Sequence, residues 1–140
     1  DKDLAYSAIL RVVEAAVSEV LIVDPYLDAR VVTDFTIAVP EAASVLLLAD
    51  AKSVKASLAP AVNAFRVQYP TRTIQARVTP VGDLHDRYII IDSKEVWSVS
   101  QSIKDLAARS PGAIMRDETE LAALKVAHFT SAWDTATALA

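Results

Sequence analysis

Leu84-His85-Asp86-Arg87-Tyr88-Ile89-Ile90-Ile91-Asp92 contains a short strand, Tyr88 to Ile91, with polar residues on either side. Three consecutive isoleucines make a β-branched run with no polar alternation. Such a run belongs to a strand covered on both faces, with Ile89 and Ile91 buried in one layer and Ile90 in the other. Asp92-Ser93-Lys94-Glu95 supplies turn residues, and Val96 to Ser100 reads as the returning strand of a hairpin. A strand covered on both faces requires helices on both sides of its sheet, and the rest of the chain provides them.

Upstream, Leu4, Ile9, Val12, Val13, Ala16, Val17 and Val20 recur at helical spacing. Leu21-Ile22-Val23 then forms a short buried strand stopped by Asp24-Pro25. A short helix is expected over 28–36, and Val45 to Ala49 is a second buried strand closed by Asp50. A helix from Ser53 to about Val67 follows, with Ser53 as its cap, Pro60 as a kink or break and Pro70 past its end. Thr73 to Thr79 is a third strand. Beyond the hairpin come a short helix over Ile103–Ala108, a brief strand at Ala113-Ile114-Met115 and a closing amphipathic helix from Glu118 to Ala138. The apolar residues of that last helix include Leu121, Leu124, Phe129, Ala132 and Trp133. Strands alternating with helices, then a hairpin, define an α/β domain: a mixed β-sheet flanked by helices on both faces.

At 140 residues the chain is the size of one domain, and 53% hydrophobic with 23% charged residues excludes disorder. Two glycines, Gly82 and Gly112, cannot assemble a phosphate-cradling glycine loop. The absence of cysteine removes disulfides, thiolate zinc sites and cysteine nucleophiles. No apolar run reaches the roughly 20 residues that span a bilayer, so no transmembrane segment is expected. The N-terminus lacks a signal-peptide layout, which gives a cytoplasmic expectation. The chain begins with Asp1 rather than Met and is expected to be a domain, spanning 1–140, excised from a longer protein. Net charge is −4, yet Arg66 to Arg116 holds eight basic against five acidic side chains. One face can therefore be locally basic on an acidic domain, enough to receive a phosphate group or simply to be solvated.

His85 and Arg87 stand two apart on an extended segment and so project to the same side. An imidazole can attack phosphorus or move a proton, while a guanidinium holds non-bridging oxygens in a fork. Asp92, five residues past Arg87, is either an ordinary turn residue or a group that orients the imidazole. Asp24, Asp50 and Asp92 each close a strand and can converge at one sheet edge, but their spacing matches no metal-ligand pattern. Neither metal nor cofactor is expected. Ser100 and Ser102 follow the hairpin and can donate hydroxyls to a phosphate. No serine sits in a GxSxG-type turn, and His128 reads as a structural or surface residue.

His85-x-Arg87-x4-Asp92 resembles the HxK-x4-D motif of the phospholipase D superfamily, with arginine for lysine. Asp24-Pro25-Tyr26-Leu27 resembles the DPY segment of bacterial phospholipase-D-like domains. Trp97-Ser98-Val99-Ser100-Gln101-Ser102-Ile103-Lys104-Asp105-Leu106 resembles their hlGaSlkDl stretch, with Ser100 in the glycine position, and Phe129 with Trp133 resembles their closing helix. The same signatures are similar to the C-terminal phospholipase-D-like domain of MIT-domain proteins, which are non-catalytic modules. The resemblance covers most of the chain and implies one phospholipase-D-like repeat. It implies a metal-independent phosphodiesterase or nuclease in which His85 forms a phosphohistidine and Arg87 binds phosphoryl oxygens. Asp92, Ser100, Ser102 and Lys104 would complete the site, with Asp24 and Asp105 in support. With one motif copy, catalysis would need a homodimer or another domain of the parent chain. The alternative is a module that binds a phosphate, a lipid or a partner without catalysis.

Overall fold

A computed structural model describes residues 2–103 and 114–140. A seven-stranded mixed sheet runs through the molecule: β1 (Glu19–Val23), β2 (Ser44–Asp50), β3 (Ile74–Thr79), β4 (Arg87–Ile91), β5 (Glu95–Val99), β6 (Ile114–Arg116) and β7 (Thr137–Ala138). Its order is β6-β5-β4-β1-β2-β3-β7. The first three strands are parallel, β4 joins β1 antiparallel, β5 and β6 continue antiparallel, and β7 joins β3 antiparallel.

Helices α1 (Lys2–Glu14) and α2 (Leu58–Gln68) cover one face together with a π-helical turn, Val31–Phe35, that runs into a 3₁₀ turn, Thr36–Ala38. Ile9, Val13, Phe35, Leu58 and Val62 pack there against Val20, Ile22, Leu47, Ile89 and Ile91. Helix α3 (Thr119–Thr135) covers the other face, where Ala122, Phe129 and Trp133 meet Leu21, Val23, Leu48 and Ile90. The isoleucine run thus divides as its period requires, Ile89 and Ile91 to one layer and Ile90 to the other. The hairpin turns through Asp92 and Ser93, both left-handed at φ 55° and 53°.

The structure corrects several boundaries. Helix α1 stops at Glu14, because Val17 and Ser18 turn the chain toward β1 and Val17 is exposed. Helix α2 starts at Leu58, not Ser53, so Pro60 falls in the first turn, where a missing N–H costs no helical hydrogen bond. Ser57 precedes that helix without capping it; its hydroxyl accepts the N–H of Ala29 instead. Helix α3 ends at Thr135, and the chain then forms β7. Leu121 and Leu124 are exposed rather than core. The expected helix at Ile103–Ala108 lies, beyond its first residue, outside the described residues.

Candidate functional site

Because β4 runs antiparallel to β1, its first residue lies beside the carboxyl ends of β1, β2 and β3. The register places Tyr88 opposite Val23 and Arg87 opposite Val99. Arg87 therefore sits next to Asp24, which directly follows β1, and next to the segment that leaves β5. His85, Arg87, Asp24, Ser100 and Ser102 come together at this one end of the sheet, where ligand sites of α/β folds form.

His85 is exposed in the loop before β4 and makes no hydrogen bond or ion pair among the described residues. Arg87 is half-buried. Its Nη2 donates to the Ser100 carbonyl (2.8 Å), and its Nε is buried with no hydrogen-bond partner. Fixing one nitrogen of the fork sets the orientation of the guanidinium plane, while the rest of the group keeps donor capacity. Ser100 is exposed, and it is its carbonyl that holds the arginine.

Asp24 is fully buried and organises the floor of this end. Its carboxylate accepts the Tyr26 N–H (2.9 Å), the Ser102 hydroxyl (2.9 and 3.1 Å) and the Ile103 N–H (2.7 Å). Burial raises its pKa above the ordinary carboxylate value, against the lowering effect of these donors and of the Arg87 charge. Ser102 is buried and commits its hydroxyl proton to Asp24. That corrects the expectation of a phosphate donor at Ser102: its role here is to fix the segment after β5.

Asp92 is corrected more sharply. It stands at the opposite end of β4, about 16–17 Å of extended chain from Arg87 at 3.3 Å per residue. Its carboxylate accepts the backbone N–H of Val17 (3.1 Å to each oxygen), Ser18 (2.7 Å) and Glu19 (3.0 Å), and the Ser18 hydroxyl (3.1 Å). The Ser18 N–H, aided by Glu19, Val17 and the Ser18 hydroxyl, holds the Asp92 pKa below its ordinary value in spite of partial desolvation. Asp92 ties the hairpin to the start of β1 and is too distant to orient His85. The three strand-closing aspartates accordingly do not converge. Asp24 and Asp50 lie at the site end and Asp92 at the other, and no group of three metal-ligating side chains occurs among the described residues. Lys104 and Asp105 lie outside the described residues.

Asp50 has a positioning role that local sequence does not reveal. Buried as the last residue of β2, it accepts the N–H of Lys52 (2.9 Å) and of Gly82 (2.8 Å). Burial raises its pKa, but hydrogen bonds from the backbone of Lys52, Gly82, Ser53 and Leu84 outweigh that and lower it overall. The loop that delivers His85 is thus held by a buried carboxylate through Gly82 and Leu84. Gly82 adopts φ 85°, a left-handed conformation that favours glycine.

Mixed sheet, covering helices and an HxR segment entering β4 thus meet at the carboxyl ends of the parallel strands. No protein-family model matches the chain, and no curated protein matches it. Among solved structures, the phospholipase D family member Nuc from Salmonella typhimurium is similar with a TM-score of 0.71 at 16% identity, over 94% of this chain and 88% of that one. NucT from Helicobacter pylori gives 0.68 at 14% identity, covering 99% and 92% of the two chains. TrmBL2, an archaeal chromatin protein with a novel mode of DNA binding, gives 0.61 at 14% identity over 99% of this chain and 51% of its own. The fold of this chain is that of the phospholipase D family. Among the described residues no helix is long and apolar enough to cross a membrane.

Proposed function

We propose that the chain is a phospholipase-D-like phosphodiesterase acting on nucleic acid, with His85 as nucleophile and Arg87 as the phosphoryl-oxygen ligand. The observation that carries this reading is an exposed imidazole without a hydrogen-bond partner among the described residues, two positions before a guanidinium anchored on the Ser100 carbonyl. An imidazole nitrogen attacks phosphorus, the bond from phosphorus to the leaving oxygen breaks, and Arg87 offsets charge on the non-bridging oxygens. The leaving oxygen needs a proton from a second group across the phosphorus. The His85 of a second copy of the chain would supply it, and a water would then hydrolyse the phosphohistidine, returning the proton to that group. The chemistry calls for no metal. The likeness in fold to Nuc and NucT supports this reading, and TrmBL2 supports a nucleic-acid ligand.

A second reading, a phosphate-binding module without turnover, is favoured by one specific observation. Arg87 spends one donor on Ser100 and Ser102 spends its hydroxyl on Asp24, so the few donors left are enough to hold an ion but few to stabilise a transition state, which carries more charge on its oxygens. Hydrolysis of bis(p-nitrophenyl) phosphate and of single-stranded DNA in excess EDTA separates the two. The enzyme reading expects turnover in wild type that is abolished in His85→Ala. Equal background rates in both proteins at every oligomeric state would leave the module.

A further inference from the structure

The register decides which side of the sheet a ligand on Arg87 meets. Ile22 and Ile89 lie in the layer under α1 and α2, Val23 and Ile90 in the layer under α3. By alternation Asp24 and Arg87 project to the α1 and α2 side. The neighbouring segments turn to that side too, because Leu27 after β1 and Ile103 after β5 are buried in the same layer. Asp24 ties them together. It accepts the N–H of Tyr26 (2.9 Å) and of Ile103 (2.7 Å), and the Arg87 charge lies within its electrostatic reach. One carboxylate thus places Tyr26 beside Arg87.

Tyr26 is 39% exposed between buried Pro25 and Leu27, so its ring stands at the rim of this end. Lys55, exposed in the loop after β2, donates its backbone N–H to the Leu27 carbonyl (3.0 Å). Its ammonium lies 5.9 Å from the centre of the Tyr26 ring, at the outer limit of a cation–π contact, and makes no ion pair among the described residues. Lys52 is exposed in the same loop, and Asp28, the acid nearest in sequence to Tyr26 on its own loop, is paired with Arg30 at 3.9 Å. The opposite side carries the other sign. Asp83 lines a wall facing α3, and Asp86 accepts the hydroxyl of Tyr88, which packs in the α3 layer.

We infer that Tyr26 and Lys55 form a subsite for the nucleotide adjoining the phosphate on Arg87, with Tyr26 stacking its base and Lys55 pairing with its phosphate; the inference rests on the phosphodiester reading of that site. The ligand class is a single-stranded nucleic acid. A tyrosine face stacks on any base, but a duplex keeps its base faces inside its own stack. The cations Arg87, Lys55 and Lys52 attract a polyanionic strand to the α1 and α2 side, and Asp83 and Asp86 repel it from the other.

The test is a set of amide-resolved NMR titrations in the His85→Ala background, which keeps the strand intact. Tetrathymidylate, an abasic strand with the same phosphates, a blunt duplex and dimethyl phosphate are compared. Tyr26 and Lys55 are both exposed, and urea unfolding is followed to confirm that their variants keep native stability. Tyr26→Ala should weaken tetrathymidylate at least fivefold, the low end for a base stacked on an aromatic side chain, and leave the abasic strand and the duplex within twofold. Tyr26→Phe keeps the ring and should bind tetrathymidylate as the parent does. Lys55→Gln should weaken both strands and lower the slope of log affinity against log salt by about 0.7. Equal losses for tetrathymidylate and the abasic strand in Tyr26→Ala, an unchanged salt slope in Lys55→Gln, or no binding of tetrathymidylate would overturn the subsite. Failure of the enzyme reading is distinct: Tyr26-dependent binding persists while wild type cleaves neither tetrathymidylate nor bis(p-nitrophenyl) phosphate.

Discussion

Replacing Asp92 by alanine should unfold this protein more readily and leave ligand affinity at His85 and Arg87 unchanged, although Asp92 closes the motif that contains both. The carboxylate accepts three backbone N–H groups and one hydroxyl from Val17, Ser18 and Glu19. A hydrogen bond to a charged group contributes about 1.5–3 kcal/mol when water cannot replace it. Val17 and Ser18 are exposed and can turn to water, whereas the Glu19 N–H is partly buried, so roughly 2–3 kcal/mol is at stake in total. Alanine adds a second cost, because Asp92 has φ 55° and a left-handed alanine is disfavoured by about 1 kcal/mol. Asp92→Ala should therefore lose about 3–4 kcal/mol, and Asp92→Gly about 1 kcal/mol less because glycine removes the backbone penalty. Asp92→Asn keeps one acceptor oxygen and tolerates the left-handed backbone, for a loss of about 1–2 kcal/mol.

Urea unfolding at pH 7 measures these differences as shifts in midpoint. The pH dependence has a defined sign. The folded pKa of Asp92 is lowered, so its contribution is present above the unfolded value of about 4 and is lost as pH falls through the folded one. The gap between wild type and Asp92→Ala should narrow below pH 4. An unchanged urea midpoint at pH 7, or a fully stable variant that fails to bind dimethyl phosphate, would refute this assignment and return Asp92 to the site.

Asp24 should show the opposite pH trend: its folded pKa is raised, so its contribution is complete below about pH 4 and declines as pH rises through the folded pKa. The stability gap between wild type and Asp24→Asn, read from urea midpoints, should narrow from pH 4 to pH 7. Gly82→Ala meets no atom within 4 Å yet must hold φ 85°, so thermal unfolding should report a loss of about 1–2 kcal/mol with no packing change in the loop. Ile90→Ala, in the layer under α3, should cost about 2–5 kcal/mol in urea and expose Phe129 and Trp133 to fluorescence quenchers. Arg87→Ala should weaken dimethyl phosphate binding by roughly 1.5–3 kcal/mol in the same NMR titration, the range for a charge-assisted hydrogen bond.

The strands were legible because their signals are local. Ile89-Ile90-Ile91, Leu21-Ile22-Val23 and Val45 to Ala49 need only their own composition to be read as buried strands. Boundaries failed where a periodic pattern runs on without a structural stop. Val17 and Val20 continue the spacing of α1, yet Asp92 fixes the chain at 17–19 in a turn. Two-residue β7 carries no pattern of its own and exists only through its pairing with Arg77 and Val78. The site shows the same division. His85 and Arg87 stand two apart in sequence, a spacing visible without the fold, and the structure places them in the loop before β4 and at the first residue of β4.

The carboxylates are different, because what an aspartate does depends on which backbone amides the fold brings to it. Asp24 takes the hydroxyl of Ser102, 78 positions away; Asp50 takes the N–H of Gly82, 32 away; Asp92 takes that of Ser18, 74 away. In sequence all three look alike, each an acid at the end of an apolar run. In the fold each joins its strand end to a loop, and strand direction alone decides which loop. Asp24 and Asp50 end parallel strands and so fix the segments around His85 and Arg87. Asp92 ends the antiparallel strand and is carried to the far side of the sheet. The motif spacing therefore records one strand's length, with the proposed ligand site at its start and a structural clamp at its end.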